Sequence, residues 1–352
     1  MHVFTCQNCG QLLHFENVVC MRCGMTLGFL PGPLTLSALE LAPEGDRWTA
    51  RADGGVWRQC ANMTAGGCNW MVPHEEAEEF CPSCDLNRTI PDLTVPGNEE
   101  RWRALESAKR RLVYALKRLG LPLESKREDA VKGLAFDFLA DAGPGQPVLT
   151  GHDDGLITIN IAEADSAERE RRRLELGEPY RTLLGHLRHE VGHYYWDVLV
   201  RDGGKVEAFR AVFGDESLDY QEALDRHYQS GPPAGWEEDF VSAYATMHPW
   251  EDFAETWTHY LHMVDTLDTA ASFGMAVDPK VSDDPALETE IAFDPYRARN
   301  FDRLVRAWLP LTVAVNSLNR SMGQPDLYPY ALTPTTIEKL RFVHGLVREG
   351  SG

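Results

Sequence analysis

The strongest chemical signal in this chain is His189-Glu190-Val191-Gly192-His193. On a helix, side chains at i and i+4 share one face, roughly 5–6 Å apart at Cβ, so both imidazoles can reach one zinc ion. Glu190 lies one residue along, where its carboxylate can take a proton from water activated by that metal. A zinc ion that performs hydrolysis takes three protein ligands and leaves a fourth position for water. Candidates for the third ligand stand in Trp250-Glu251-Asp252-Phe253-Ala254-Glu255. Glu251 and Glu255 are i and i+4 on a second helix, among Trp250, Phe253, Trp257, Tyr260 and Leu261. Only one can ligate if the site is to stay open. We assign Glu251 to the metal and Glu255 to a hydrogen bond that fixes the tautomer of a ligand histidine. His186, His259 and His262 are then read as packed side chains or as partners of the ligands, because the ligand count is filled. Asp197 is either a partner of a histidine or a solvent-facing acid. Tyr244, seven residues before Glu251, is either a core residue or a phenol that stabilises the oxyanion of a tetrahedral intermediate.

A second signal sits at the N-terminus. All 8 cysteines fall between Cys6 and Cys84. Cys6-x-x-Cys9 and Cys20-x-x-Cys23 are each followed by a glycine (Gly10, Gly24), which lets the backbone turn tightly beneath a metal-bound sulfur. These are the two knuckles of a zinc ribbon. Cys60, Cys68, Cys81 and Cys84 form a candidate second four-thiolate site. One or two structural zinc ions are therefore expected, and spacing leaves open an interleaved pairing of the two sets. No positively charged segment leads into an apolar run at the start of the chain, so a cytoplasmic location is expected, and a reducing compartment favours metal over disulfides.

Charge narrows the partners. Lys+Arg 34 against Asp+Glu 54 gives −20 for the whole chain. Residues 1–96 hold five Arg, no Lys and eleven acids, so 5 − 11 = −6 there. A polyanion is repelled, so nucleic acid is a disfavoured partner and a structural or protein-docking role suits the ribbon better. No run is long and apolar enough to span a bilayer, so no membrane partner is expected.

These residues need particular elements to position them. Pro91 to Gly97 reads as a linker, dividing residues 1–96 from 97–352. A helix from Asn98 keeps Trp102, Leu105, Leu112, Leu116 and Leu119 on one face and stops at Gly120. Its basic face (Arg101, Arg103, Lys109, Arg110, Arg111, Lys117, Arg118) is expected in solvent. Strand patterns follow at Leu134–Leu139, Pro147–Thr150 and Leu156–Ile161, the last two joined by a hairpin turn at Asp153-Asp154-Gly155. The rest is helical in pattern. Pro179 suits the first turn of the helix carrying His189, which ends at Gly203-Gly204. His248 and Pro249 open a helix to about Ser272, and Asp294-Pro295 and Thr333-Pro334 open two more, with Pro310 inside the first. The fold class is α+β, a Cys-rich zinc-ribbon module followed by a mostly helical domain with a small sheet.

Taken together, the chain resembles the bacterial zinc-binding metallopeptidases that join an N-terminal zinc ribbon to a gluzincin-type domain. The resemblance runs through Cys6/Cys9/Cys20/Cys23, Tyr180–His186, His189–His193 and His248–Glu255, and also covers Thr150-Gly151-His152 and Asn160–Asp165. More distantly, Tyr244 to Glu255 is similar to a stretch of lethal-factor-type toxin proteases. That similarity implies Glu251 as ligand, Glu255 as its histidine's support and Tyr244 as oxyanion donor. It also implies a zincin architecture in 97–352, whose sheet edge aligns substrate, with Leu156–Ile161 as the candidate edge. The expected function is a zinc metallopeptidase acting on a peptide or protein, with one catalytic zinc and Glu190 as general base. The alternatives are an adaptor or regulator acting through its ribbon, and a zinc amidase with a non-protein substrate.

Overall fold

A computed structural model describes residues 2–43, 45–141, 143, 148–175 and 182–350. The chain forms two compact units, one of 1–118 with 123–168 and one of 119–122 with 169–352. Contacts thus group 98–118 and 123–168 with the Cys-rich residues.

In the first unit, β1 (Phe4–Thr5) and β2 (Leu12–Leu13) pair across the first cysteine knuckle. Five antiparallel strands then follow in sequence order: β3 (Thr26–Leu30), β4 (Thr35–Leu41), β5 (Trp48–Ala50), β6 (Val56–Gln59) and, after the short α1 (Met63–Gly66), β7 (Met71–Pro73). This sheet goes beyond the ribbon expected from the cysteines. β8 (Asn87–Thr89) and α2 (Asn98–Leu119) come next. The apolar face of α2 is buried as the spacing predicts, with Tyr114 against Phe15 (ring centroids 5.2 Å) and Phe15 against Phe29 (5.0 Å).

The opposite face of α2 differs from expectation. Lys109 and Arg110 are buried. Lys109 donates to Glu106 Oε1 at 2.7 Å and to Asn87 Oδ1, and Cys84 Sγ lies 3.9 Å from Glu106 Oε2. Arg103 is exposed and Arg101, Arg111, Lys117 and Arg118 are partly so, while the buried Lys109 ammonium is tolerated because carboxylate and amide oxygens surround it.

The second sheet contains β9 (Ala135–Leu139), β10 (Gly151–Asp153) and β11 (Leu156–Asn160) in the order β10-β11-β9-β8. The hairpin between β10 and β11 turns through Asp154 (φ 45°) and Gly155 (φ 81°), the two positive angles that a tight primed turn requires. Leu156–Ile161, the expected substrate-aligning edge, is not an edge. β11 is paired antiparallel to β10 and parallel to β9, so its backbone groups are already engaged on both sides. Pro147, the start of the expected middle strand, lies outside the described residues. α3 (Ser166–Glu175) closes this stretch.

The second unit is helical: α4 (Leu183–Tyr195), α5 (Val206–Phe213), α6 (Tyr220–Ser230), α7 (Pro249–Ser272), α8 (Phe301–Ser321) and α9 (Pro334–Glu349). Two short strands, β12 (Ala276–Val277) and β13 (Thr289–Glu290), interrupt the expected all-helical run. α4 starts later than expected. Thr182 is its cap, with its hydroxyl accepting from the Gly185 amide at 3.0 Å, while Pro179 lies outside the described residues. After Tyr195 the helix widens into a π-helical turn over Trp196–Arg201. α7 begins as expected, with the His248 ring accepting from the Trp250 amide. Asp294-Pro295 opens only a short 3₁₀ turn, and α8 begins at Phe301 under an Asn300 cap.

α4 and α7 pack face to face with almost no space at Gly192. A Cβ built there would lie 3.0 Å from Ala254 Cα and 3.3 Å from its Cβ. Helix propensity favours alanine over glycine by roughly 0.5–1 kcal/mol, but forcing rigid backbone apart costs about 1–3 kcal/mol. The second effect wins. We expect Gly192→Ala to destabilise the protein by about 1–2 kcal/mol in denaturant titration; equal or greater stability would contradict this packing.

Candidate active site

The α4–α7 contact brings together side chains that are 58–62 residues apart in sequence. His189 and His193 sit on the buried face of α4, and Glu251 in the first turn of α7. Glu251 Oε2 is 2.9 Å from His189 Nε2 and 3.4 Å from His193 Nε2, and the two Nε2 atoms are 3.2 Å apart. Each of the three residues is at most 9% exposed.

The tautomers follow from the surroundings. Glu255, one turn after Glu251, accepts from His189 Nδ1 at 2.7 Å, and Ser242 Oγ donates to its other oxygen at 2.6 Å. An imidazole that donates through Nδ1 presents a lone pair at Nε2 when neutral. Glu251 Oε2 is buried and accepts no hydrogen bond, although two ring nitrogens stand close to it. Two ring nitrogens and a carboxylate oxygen that converge this closely fit a cation, and that donor set fits zinc. Without a cation a proton must serve. Burial alone would lower the His189 pKa, but the close contacts and charges of Glu251 and Glu255 raise it well above its ordinary value. Burial likewise opposes ionisation of Glu251, yet the His193 and His189 rings hold it well below the usual carboxylate range.

The other predicted residues gather here as well. Glu190 is buried, with His186 Nε2 3.3 Å from its Oε1. Burial would raise its pKa, but the hydrogen bond from His186 and the charges of His189 and His193 lower it. The Tyr244 ring lies 5.9 Å from the His189 ring. Burial, then the Glu251 charge, raises its pKa, so the phenol keeps its proton. His259 bonds Tyr328 Oη at 2.8 Å, and His262 meets Arg188, in line with packed roles. Asp197 accepts from Arg201 at 2.8 Å.

Three contributors were not legible in the sequence. Tyr220 at the start of α6 donates its hydroxyl to Glu251 Oε1 at 2.8 Å. Ser242 supports Glu255. The Trp250 ring lies 3.6 Å from that of His193, tilted by 30°. No spacing rule links Tyr220 or Ser242 to the metal residues; only the aromatic density around Trp250 pointed this way.

In the first unit the thiols separate into two groups without interleaving: Cys6, Cys9, Cys20 and Cys23, then Cys60, Cys68, Cys81 and Cys84. Within each group the sulfurs lie within 4.8 Å of one another. Gly10 and Gly24 both have φ 73°, and each amide donates to the carbonyl of the first or third cysteine at 2.8 Å, forming two matched knuckles. All eight cysteines are free of disulfides.

Three nitrogen and oxygen atoms converging from two packed helices, in a chain that also carries two four-sulfur groups, are the features of a zinc-binding protein. The comparisons agree. Residues 98–346 match the family described as "Putative zinc-binding metallo-peptidase", and residues 3–95 match a zinc-ribbon domain. The chain belongs to that metallopeptidase family. It is 43% identical over 350 residues to uncharacterized proteins of Mycobacterium bovis and Mycobacterium tuberculosis, spanning 99% of this chain and 96% of each relative. No solved structure matches it at a significant level. No helix among the described residues is long and apolar enough to cross a membrane.

The raised pKa of His189 has a measurable consequence. At pH 7 the metal-free ring is protonated, and a ligand nitrogen must lose that proton. With the cysteine groups already filled, zinc uptake at His189/His193/Glu251 is expected to release about one proton, read by calorimetry in buffers of different ionisation enthalpy. Uptake with no proton release would contradict protonation of His189 in the metal-free site.

Proposed function

We propose that this chain is a zinc-dependent metallopeptidase that hydrolyses peptide bonds in a peptide or protein substrate. The observation that carries this reading is the convergence of His189 Nε2, His193 Nε2 and Glu251 Oε2, with the Glu190 carboxylate beside them on α4. Zinc held by those three residues supplies Lewis acidity, polarising a peptide carbonyl and making water nucleophilic at neutral pH.

The remaining work falls to the chain. Glu190, with His186 Nε2 3.3 Å from its carboxylate, accepts a proton from the attacking water and delivers it to the leaving amine. Tyr244 stays protonated and donates to the oxyanion as it develops. Glu255, itself held by Ser242, fixes the His189 ring so that its Nε2 lone pair faces the ion. Each cysteine group holds a structural zinc in the N-terminal unit, which suits a protein-docking element better than a nucleic-acid reader because of its acidity. The site of action is the cytoplasm.

The test uses zinc-loaded full-length protein and an unfolded protein or mixed peptide library as substrate. Glu190→Gln is expected to retain its zinc and lose about 10²–10⁴-fold in kcat/KM. Tyr244→Phe is expected to lose about 10²–10³-fold in kcat, again with metal content unchanged. Wild-type protein that leaves every peptide intact and is unaffected by a chelator would contradict the reading, as would a fully active Glu190→Gln variant.

A further inference from the structure

The carboxylate ligand has two oxygens, and the structure treats them differently. Oε2 faces the two imidazoles, while Oε1 accepts the Tyr220 hydroxyl at 2.8 Å. A carboxylate that grips an ion through both oxygens takes up space that a hydrolytic zinc reserves for water. Engaging Oε1 elsewhere prevents that.

The helix that carries Tyr220 supports the same conclusion. Ala223 is the only buried residue of α6, so this helix adds little to the core. Its start is nevertheless defined. Asp219 caps it by accepting from the Glu222 amide at 2.8 Å, which makes Tyr220 its first residue. The Tyr220 ring stands edge-on to His248 (5.5 Å) and Trp250 (6.0 Å), the two residues that flank the start of α7. The ring is therefore braced against the turn that presents Glu251.

We propose that Tyr220 is a positioning residue of the metal centre, holding Glu251 Oε1 so that Glu251 offers the ion one oxygen and the fourth coordination position stays open. This rests on the metallopeptidase reading given above. It adds a residue distant in sequence from every metal ligand, and it makes the geometry of the centre depend on α6.

The test compares wild-type protein with Tyr220→Phe, which keeps the ring and its packing but removes the hydroxyl. With zinc in the cysteine groups, where it is spectroscopically silent, Co²⁺ is added to the remaining site. Its affinity is measured by chelator competition and its coordination by the visible spectrum. Wild-type protein is expected to bind Co²⁺ with the intense bands of four-coordination. Tyr220→Phe is expected to bind about 10–100-fold more weakly, with weaker bands as Glu251 supplies its second oxygen. Identical affinity and spectrum in the two proteins would overturn the role of Tyr220 while leaving the metal centre intact. A wild-type protein that takes up no Co²⁺ outside the cysteine groups would overturn the metallopeptidase reading itself, and this proposal with it.

Discussion

The second unit is organised around one electrostatic problem: three acceptor atoms on two helices converge where water is nearly excluded. Leaving Glu251 Oε2 buried beside two imidazole nitrogens, without a hydrogen bond, is costly unless a cation occupies the gap. The surrounding structure is arranged to hold that gap open. Gly192 lets α4 approach the Ala254 backbone, and a bulkier residue there would widen the spacing on which all three distances depend. Arg188, next to His189, is buried against Asp265 and His262 of α7, which fixes the two helices in register. At the start of α7, Asp252 pairs with Lys339 of α9 at 2.6 Å, anchoring the turn that carries Glu251.

The N-terminal unit solves a related problem with sulfur. Four thiols within 4.8 Å cannot all ionise without a compensating charge. At the second group, hydrogen bonds from Cys68 and Cys81 lower the Cys60 pKa, while burial raises that of Cys81. Lys109, buried beside Glu106 and near Cys84, places a positive charge next to this anionic group. This explains why Lys109, on a basic helix stripe, is enclosed.

Much of the site was legible because helical spacing is rigid. His189 and His193 at i and i+4 can scarcely avoid a common target, and Glu251 with Glu255 repeats that geometry on α7. The first two cysteine knuckles were equally readable, because each pairs a Cys-x-x-Cys spacing with a glycine at the turn. Contacts between elements distant in sequence were hidden. Tyr220 precedes Glu251 by 31 residues and Ser242 precedes Glu255 by 13, distances that no periodicity encodes. The strand 156–160 was correctly recognised as a strand, yet its interior place depends on pairing with β9 as well as with its hairpin partner. Burial of Lys109 was missed for the same reason, since charge pattern reports what a helix face carries and not what packs over it.

The central claim is that a single divalent ion is held by His189, His193 and Glu251 in addition to the thiolate sites. Metal analysis of purified full-length protein tests it most directly. Three zinc ions per chain are predicted, one for each ligand group, falling to two in His193→Ala with the cysteine-bound metal retained. Two zinc ions in both proteins would contradict the account.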